Sequence, residues 1–222
     1  MSTMVARLFR SPLAWLLVLA ILIAALTALG PAEKSLGANV RVVYLHGAWV
    51  WTSLAAFLAA GALGLVGLLV QRPILHAWSC SLGRTGLLFW ITYLPISMWA
   101  MQTNWNGLYL AEPRWRLALI FAVSGLLMQI GLALIDRPAW TSAANFIYIV
   151  VLFLALADTQ NVMHPPSPIL SSDSSNIRLF FALLLLALLL AAWQIARWWR
   201  SSCPLHANTL QRSPVSGRKA AS

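Results

Sequence analysis

The sequence predicts an all-α integral membrane protein, a bundle of six transmembrane helices with both termini cytoplasmic. Three observations carry that expectation. Of the 222 residues 60% are hydrophobic and 9% charged, too little polar surface to cover a water-soluble globule. The apolar residues fall in six blocks, each long enough as a helix to cross a hydrocarbon core of about 30 Å. The 15 Lys and Arg divide ten to five between alternate sides of those blocks, and the positive-inside rule puts the ten, with the termini, in the cytoplasm. The same dispersal accounts for the net charge of +10, so the bilayer and not nucleic acid is the expected large partner.

Residues 1–11 form a cytoplasmic N-terminus in which Arg7 and Arg10 precede the first block, 12–29. A positive start before an apolar run also describes a signal peptide, but this run exceeds the usual signal core, and an uncleaved helix is expected. Loop 1 runs over 30–41. The second block, 42–70, overshoots the bilayer by about two turns, which sets His46 at the interface. Along it Ala60, Gly61, Gly64 and Gly67 offer a small-residue face for close helix contact.

Loop 2, 71–84, holds Arg72, His76, Cys80 and Arg84 and faces the cytoplasm, as does Cys203, so no disulfide is expected. Helix 3, 85–101, contains Pro95, a kink site before the third loop. Helix 4 spans 117–135. Asp136, Arg137 and Pro138 turn the chain into helix 5, 141–157. Loop 5, 158–176, carries Pro165, Pro166 and Pro168, and its length and stiffness suggest a functional loop. Helix 6, 179–196, ends at the Arg197, Trp198, Trp199, Arg200 anchor. The six-helix membrane domain thus covers 12–200, and the basic tail, 201–222, reads as disordered and cytoplasmic.

The chemistry-bearing residues gather on the outer side. Between helices 3 and 4 lie Trp105, Tyr109, Glu112, Arg114, Trp115 and Arg116, a mixture suited to gripping a flat, anionic ligand. His46 and His164 fall on the same side, and two imidazoles on separate elements can supply both axial ligands of a haem iron. Arg41, Arg114, Arg116 or Arg178 could then pair with the propionates. A bare metal ion would want more ligands than Glu33, Glu112, Asp158 and Asp173 offer. The plain alternative also holds: histidine near Tyr44, Trp49 and Trp51, and the loop aromatics themselves, are what an interfacial aromatic belt supplies. No Walker motif, no Ser/His/Asp arrangement and no Cys-rich site is present, so nothing points to hydrolysis.

The segment from Trp105 to Arg114 resembles the signature Trp-Gly-x-Trp-Trp-x-Trp-Asp-x-Arg of the CcmC-like haem-handling proteins of c-type cytochrome assembly. Trp105 and Arg114 match, Tyr109 keeps an aromatic and Glu112 the acid, while Asn106, Leu108 and Ala111 depart from it. The family's His-x-Pro-x-x-Trp is matched by His46 and Trp51 without the proline, and its Trp-Asn-x-Leu-His by Asn161 and His164. The resemblance implies a six-helix frame in which His46 and His164 ligate the iron of a transiently held haem b. It makes Trp105, Tyr109, Trp115 and Trp51 flank the porphyrin and Arg114, Arg116 or Arg41 its propionates. It further implies location in a bacterial inner membrane, with the haem site periplasmic, and two partners: a CcmE-like membrane-anchored haem chaperone and a CcmAB-like ATP-driven transporter. The missing tryptophans motivate a rival expectation, a degenerate subunit that binds no haem and docks other assembly proteins.

Overall fold

Proline opens four of the helices. The computed structural model describes residues 11–160, 162, 169 and 172–203, and these form α1 (Pro12–Leu29), α2 (Val40–Val70), α3 (Pro73–Trp105), α4 (Pro113–Ile135), α5 (Pro138–Asp158) and α6 (Ser175–Arg200). Pro12, Pro73, Pro113 and Pro138 each stand in the first turn, where the missing N–H costs no bond and the fixed φ is already helical. α6 opens differently, with the Ser174 hydroxyl accepting from the Ile177 N–H. Gln71, Asn106 and Asp136 close α2, α3 and α4 at positive φ, the left-handed cap that lets a helix stop and the chain turn at once.

Five helices, α1, α2, α4, α5 and α6, are long and apolar enough to cross a membrane. α3 is more polar, and its place in the bundle explains how that is tolerated: α2, α4, α5 and α6 all pack on it. Its serines and threonine at 79, 81 and 85 are fully buried against protein. A helix shielded from lipid needs partners for its polar groups more than it needs apolar side chains. Those partners are present. Asn145 Nδ2 on α5 donates to the Ser79 carbonyl at 2.9 Å and to Ser79 Oγ at 3.1 Å, and Gln129 on α4 donates to Asn145 Oδ1 at 3.2 Å. His76 Nδ1 and Ser142 Oγ lie 2.7 Å apart, and Ser53 Oγ on α2 donates to the Gly86 carbonyl at 2.7 Å.

The small-residue face of α2 is used as its pattern suggests. A Cβ at Gly61 would lie 2.5 Å from Ile149 Cγ2, and one at Gly64 2.7 Å from the Ser142 carbonyl oxygen. On α3 a Cβ at Gly83 would meet the Asn145 amide at 2.7 Å. On either side of this polar seam lie two apolar cores. One joins α1, α2 and α6 through Leu19, Ile23, Tyr44, Phe181 and Leu188, with Phe89 of α3 against it. The other joins α2 to α5 through Phe57, Trp90, Phe121, Tyr148 and Leu152. At the α6 C-terminus Trp193 stacks on Trp78 at 4.7 Å, and the Arg200 guanidinium sits 4.8 Å from the Trp78 ring.

The expected loop 2 is corrected. The chain turns at Gln71 and Arg72 and is helical from Pro73, so His76, Cys80 and Arg84 belong to α3, and Arg84 is a charge within a helix. Ser79, Ser81 and Gly83 have loop-like composition, yet they are the close-contact surface of a helix. The expectation of unpaired cysteines is overturned as well. Cys80 and Cys203 form a disulfide, with Cα atoms 6.1 Å apart and 123 positions between them in sequence. That expectation rested on compartment, whereas the fold sets the residue just after α6 against α3, where both sulfurs are buried beside Ala77. Pro95 stays inside α3, which continues to Trp105. Of the tail, residues 204–222 lie outside the described residues, as do residues 1–10.

The α2–α5 seam generates a direct expectation. Gly64→Leu forces a side chain onto Ser142 backbone that cannot swing away, and should destabilise the protein by about 1–3 kcal/mol. Gly131→Ala, at a helical site with nothing within 4 Å, should be neutral or slightly stabilising. Thermal unfolding midpoints in detergent check both; an unchanged midpoint for Gly64→Leu contradicts the close packing.

Candidate functional site

The aromatic loop hangs from the C-terminus of α3 and ends in the first turn of α4. Asn106 reverses the chain at positive φ, and the Glu112 N–H donates to the Tyr109 carbonyl at 3.2 Å, closing a turn over Tyr109 to Glu112. Arg116 Nε donates to the Leu110 carbonyl at 3.3 Å and holds this loop against α4. Trp105 and Tyr109 stay exposed at its rim, while Trp115 is half-buried.

Two side chains then bind the loop to its neighbours. Glu112 is buried, and its Oε1 accepts the Val162 N–H at 3.2 Å, so the start of the α5–α6 connection is pinned to the entry of α4. Arg114 Nε and Nη2 donate to the Thr159 and Leu156 carbonyls at 3.4 and 3.3 Å. These oxygens belong to the open C-terminal end of α5, where a cation is also favoured by the helix dipole. His164 itself, with Asn161 and Met163, lies outside the described residues. Its near neighbour Val162 shows that the segment leading to it meets the aromatic loop.

His46 lies in the second turn of α2 at the same end of the bundle, half-buried, with its ring 5.5 Å from that of Tyr93 on α3. The other residues expected near it divide. Trp51 is five positions on, about 140° around the helix at 3.6 residues per turn, and is 42% exposed, so it does not share the face of His46. Arg41 is five positions before and likewise turned away. Its Nε donates to the Gly30 carbonyl at 2.8 Å, and it lines a separate groove between α1, α2, α3 and α6. The structure therefore gathers the aromatic loop, Arg114, Arg116 and the approach to His164, and separates Arg41 and Trp51 from His46.

Two buried polar atoms at the α4 entry have no hydrogen-bond partner among the described residues: Glu112 Oε2, an acceptor, and Trp115 Nε1, a donor. Arg116, exposed at this end, fits a ligand carboxylate, and the half-buried imidazole of His46 fits an iron ligand. The residues present are thus compatible with haem. Among the described residues no group of three His, Cys, Asp or Glu could hold a bare metal ion. The importance of Tyr93, Thr159 and Val162 was not visible in the sequence, because each acts through a contact between distant segments. On loop 1, the Ser35 hydroxyl, then the Leu36 and Ser35 N–H groups, donate to Glu33 and hold its carboxyl below the usual carboxylate value.

Glu112→Ala should release the Val162 segment, because a charge-assisted bond in a buried site is lost, at a cost of about 1–3 kcal/mol. Proteolysis between residues 159 and 175 should accelerate in Glu112→Ala and stay near the original rate in Glu112→Gln, which keeps an acceptor; equal rates in all three proteins contradict the pinning role. No protein-family model, no curated protein and no solved structure matches the chain.

Proposed function

We propose that this chain is a six-helix haem-handling protein of the CcmC-like type. In this reading it sits in a bacterial inner membrane with both termini cytoplasmic, holds haem b at its outer face and hands it on. The observation that carries the reading is the convergence at one end of the bundle. Glu112 and Arg114 draw the aromatic loop onto the segment that leads to His164, and His46 lies at that same end. With Arg84 counted inside α3, the remaining basic residues still divide nine to five, a bias that favours that end facing outward.

Each residue then has a task. His46, on a rigid helix, and His164, in the proline-rich stretch of the sequence, would supply the two imidazole nitrogens. Tyr93 packs on the His46 ring and fixes its orientation. Trp105, Tyr109 and Trp115 offer flat apolar surface, and the Trp115 indole N–H is buried without a hydrogen-bond partner among the described residues. Arg114 uses Nε and Nη2 on α5 and keeps Nη1 for a propionate, and Arg116 adds a second cation. Haem, when bound, supplies an iron that two imidazoles can hold and a thiol-reactive vinyl edge for a later partner. The chain has no nucleotide motif, so energy would come from an ATP-driven transporter complex, and release would be to a membrane-anchored haem chaperone. Covalent attachment is not assigned to this chain.

One observation favours a second reading, a docking subunit without haem. Where the family signature has tryptophans, the loop exposes Leu108 at 48%, beside Tyr109 and Leu110, an apolar rim suited to protein contact. The visible spectrum of the detergent-purified protein separates the two. A low-spin six-coordinate haem is expected, with His46→Ala or His164→Ala lowering the retained haem severalfold or turning it high-spin. Unchanged spectra in both variants overturn the ligand assignment, and a colourless protein that also fails to bind added haem favours the docking reading.

A further inference from the structure

We propose that the groove between α1, α2, α3 and α6 is a binding site for one anionic phospholipid, its phosphate on Arg41 and an acyl chain laid along α1. The inference stands apart from haem binding, since neither His46 nor the aromatic loop lines this groove. The groove is a cavity of about 870 Å³, within the size range of small-molecule clefts. It exists because α1 packs on α6 and lightly on α2 while its backbone makes no close approach to that of α3, leaving a groove between α1 and α3. A ligand would enter from the bilayer and not from water.

The walls match an acyl chain. Ala20, Ala24 and Ala28 recur every fourth residue and give α1 a smooth inner stripe, opposite Leu45, Leu88 and Phe89. The polar groups in the wall are already satisfied: Thr92 Oγ1 accepts from Trp49 Nε1 at 2.9 Å and donates to the Leu88 carbonyl at 2.7 Å. From Leu16 to Ala28 the lining of α1 runs about 18 Å, close to the roughly 15 Å depth of one leaflet. That length suits a single chain from one side of the membrane.

The headgroup end is specified by charge. Asn39, Arg41, Thr27 and Thr103 line the groove at the end that also carries the aromatic loop. Asn39 Nδ2 donates to the Thr103 carbonyl at 3.1 Å and Thr27 Oγ1 to the Ile23 carbonyl at 2.8 Å, so these three close the end and are spoken for. Arg41 differs. Its Nε bond to the Gly30 carbonyl locks the guanidinium in place, while both Nη groups make no hydrogen bond or ion pair with a described residue. No Asp or Glu lines the groove to neutralise it. A fixed guanidinium fork at the interface, over an apolar trough one leaflet deep, is complementary to a phosphate with a chain attached. A fatty acid would share the chain and the negative charge but offers a smaller anion.

Native mass spectrometry of the detergent-purified protein, titrated with phosphatidylglycerol, phosphatidylcholine of the same chains, and oleate, tests this. One phosphatidylglycerol per chain should be retained about tenfold more strongly than phosphatidylcholine. Arg41→Gln should erase that preference. Ala24→Trp, which fills the groove from an exposed position and leaves Arg41 intact, should abolish retention of both lipids with an unchanged thermal midpoint. Equal retention of the two phospholipids by the original protein, retention in Ala24→Trp equal to the original, or retention of oleate without phosphatidylglycerol would each overturn the proposal.

Discussion

The structure depends on the burial of α3. Hydrocarbon cannot hydrogen-bond to a polar group, so a helix carrying His76, Ser79, Ser81, Arg84 and Thr85 is stable in a membrane only if protein covers it. α2, α4, α5 and α6 bury His76, Ser79, Ser81 and Thr85, and the cover is tight because glycines meet neighbouring side chains and backbone at Gly61, Gly64 and Gly83. The polar groups are then worth keeping, since Asn145 bridges Ser79 and Gln129, and His76 meets Ser142. Close approach and hydrogen bonding support each other here: a methyl group at Gly83 would displace the Asn145 amide that satisfies Ser79. The Cys80–Cys203 disulfide ties the same end of α3 to the residue that follows α6.

A rigid central helix has a consequence at its other end. The C-terminus of α3 fixes where the aromatic loop begins, and Glu112 and Arg114 fix where it ends. Both side chains act on backbone groups, the Val162 N–H and the last carbonyls of α5, so they hold the position of neighbouring chain whatever its side chains are. The loop thereby becomes part of a surface shared with the α5–α6 connection and with His46. On the far side of α2 the loose seating of α1 leaves a groove that this surface does not use. The two proposed sites would thus lie around one helix, a polar and aromatic one at the bundle end and an apolar groove beside α1.

Much of the frame was legible in the chain. Pro12 and Gly30 bracket α1, Asp136, Arg137 and Pro138 mark the turn into α5, which begins at Pro138 where 141 was expected, and the apolar blocks give the helices their order. The start of α3 was misread because Ser79, Ser81 and Gly83 resemble loop composition, and single-residue composition does not distinguish a solvated loop from a helix face pressed on another helix. The cysteine pair was misread for a related reason: compartment arguments say where disulfides persist, but adjacency across 123 positions is a property of the fold. At the candidate site the residue types were legible and their relations were not. The bond from Glu112 to Val162, the engagement of Arg114 by α5 and the turning of Arg41 into another cavity all depend on contacts between distant segments. The periodicity of α2 alone would have separated Trp51 from His46, since five positions carry a side chain about 140° around a helix, whereas Arg41 was read as loop and only the structure places it in α2.

The account rests on α3 crossing the membrane inside its cover of more apolar helices, and cysteine accessibility tests that most directly. In a protein with Cys80 and Cys203 replaced by serine, Gln71→Cys marks the turn before α3 and Ala111→Cys the loop after it. A membrane-impermeant maleimide applied to spheroplasts should label Ala111→Cys at once and Gln71→Cys only after permeabilisation. Labelling of both from the same side would mean that α3 does not span, and would contradict the arrangement from which both sites are argued.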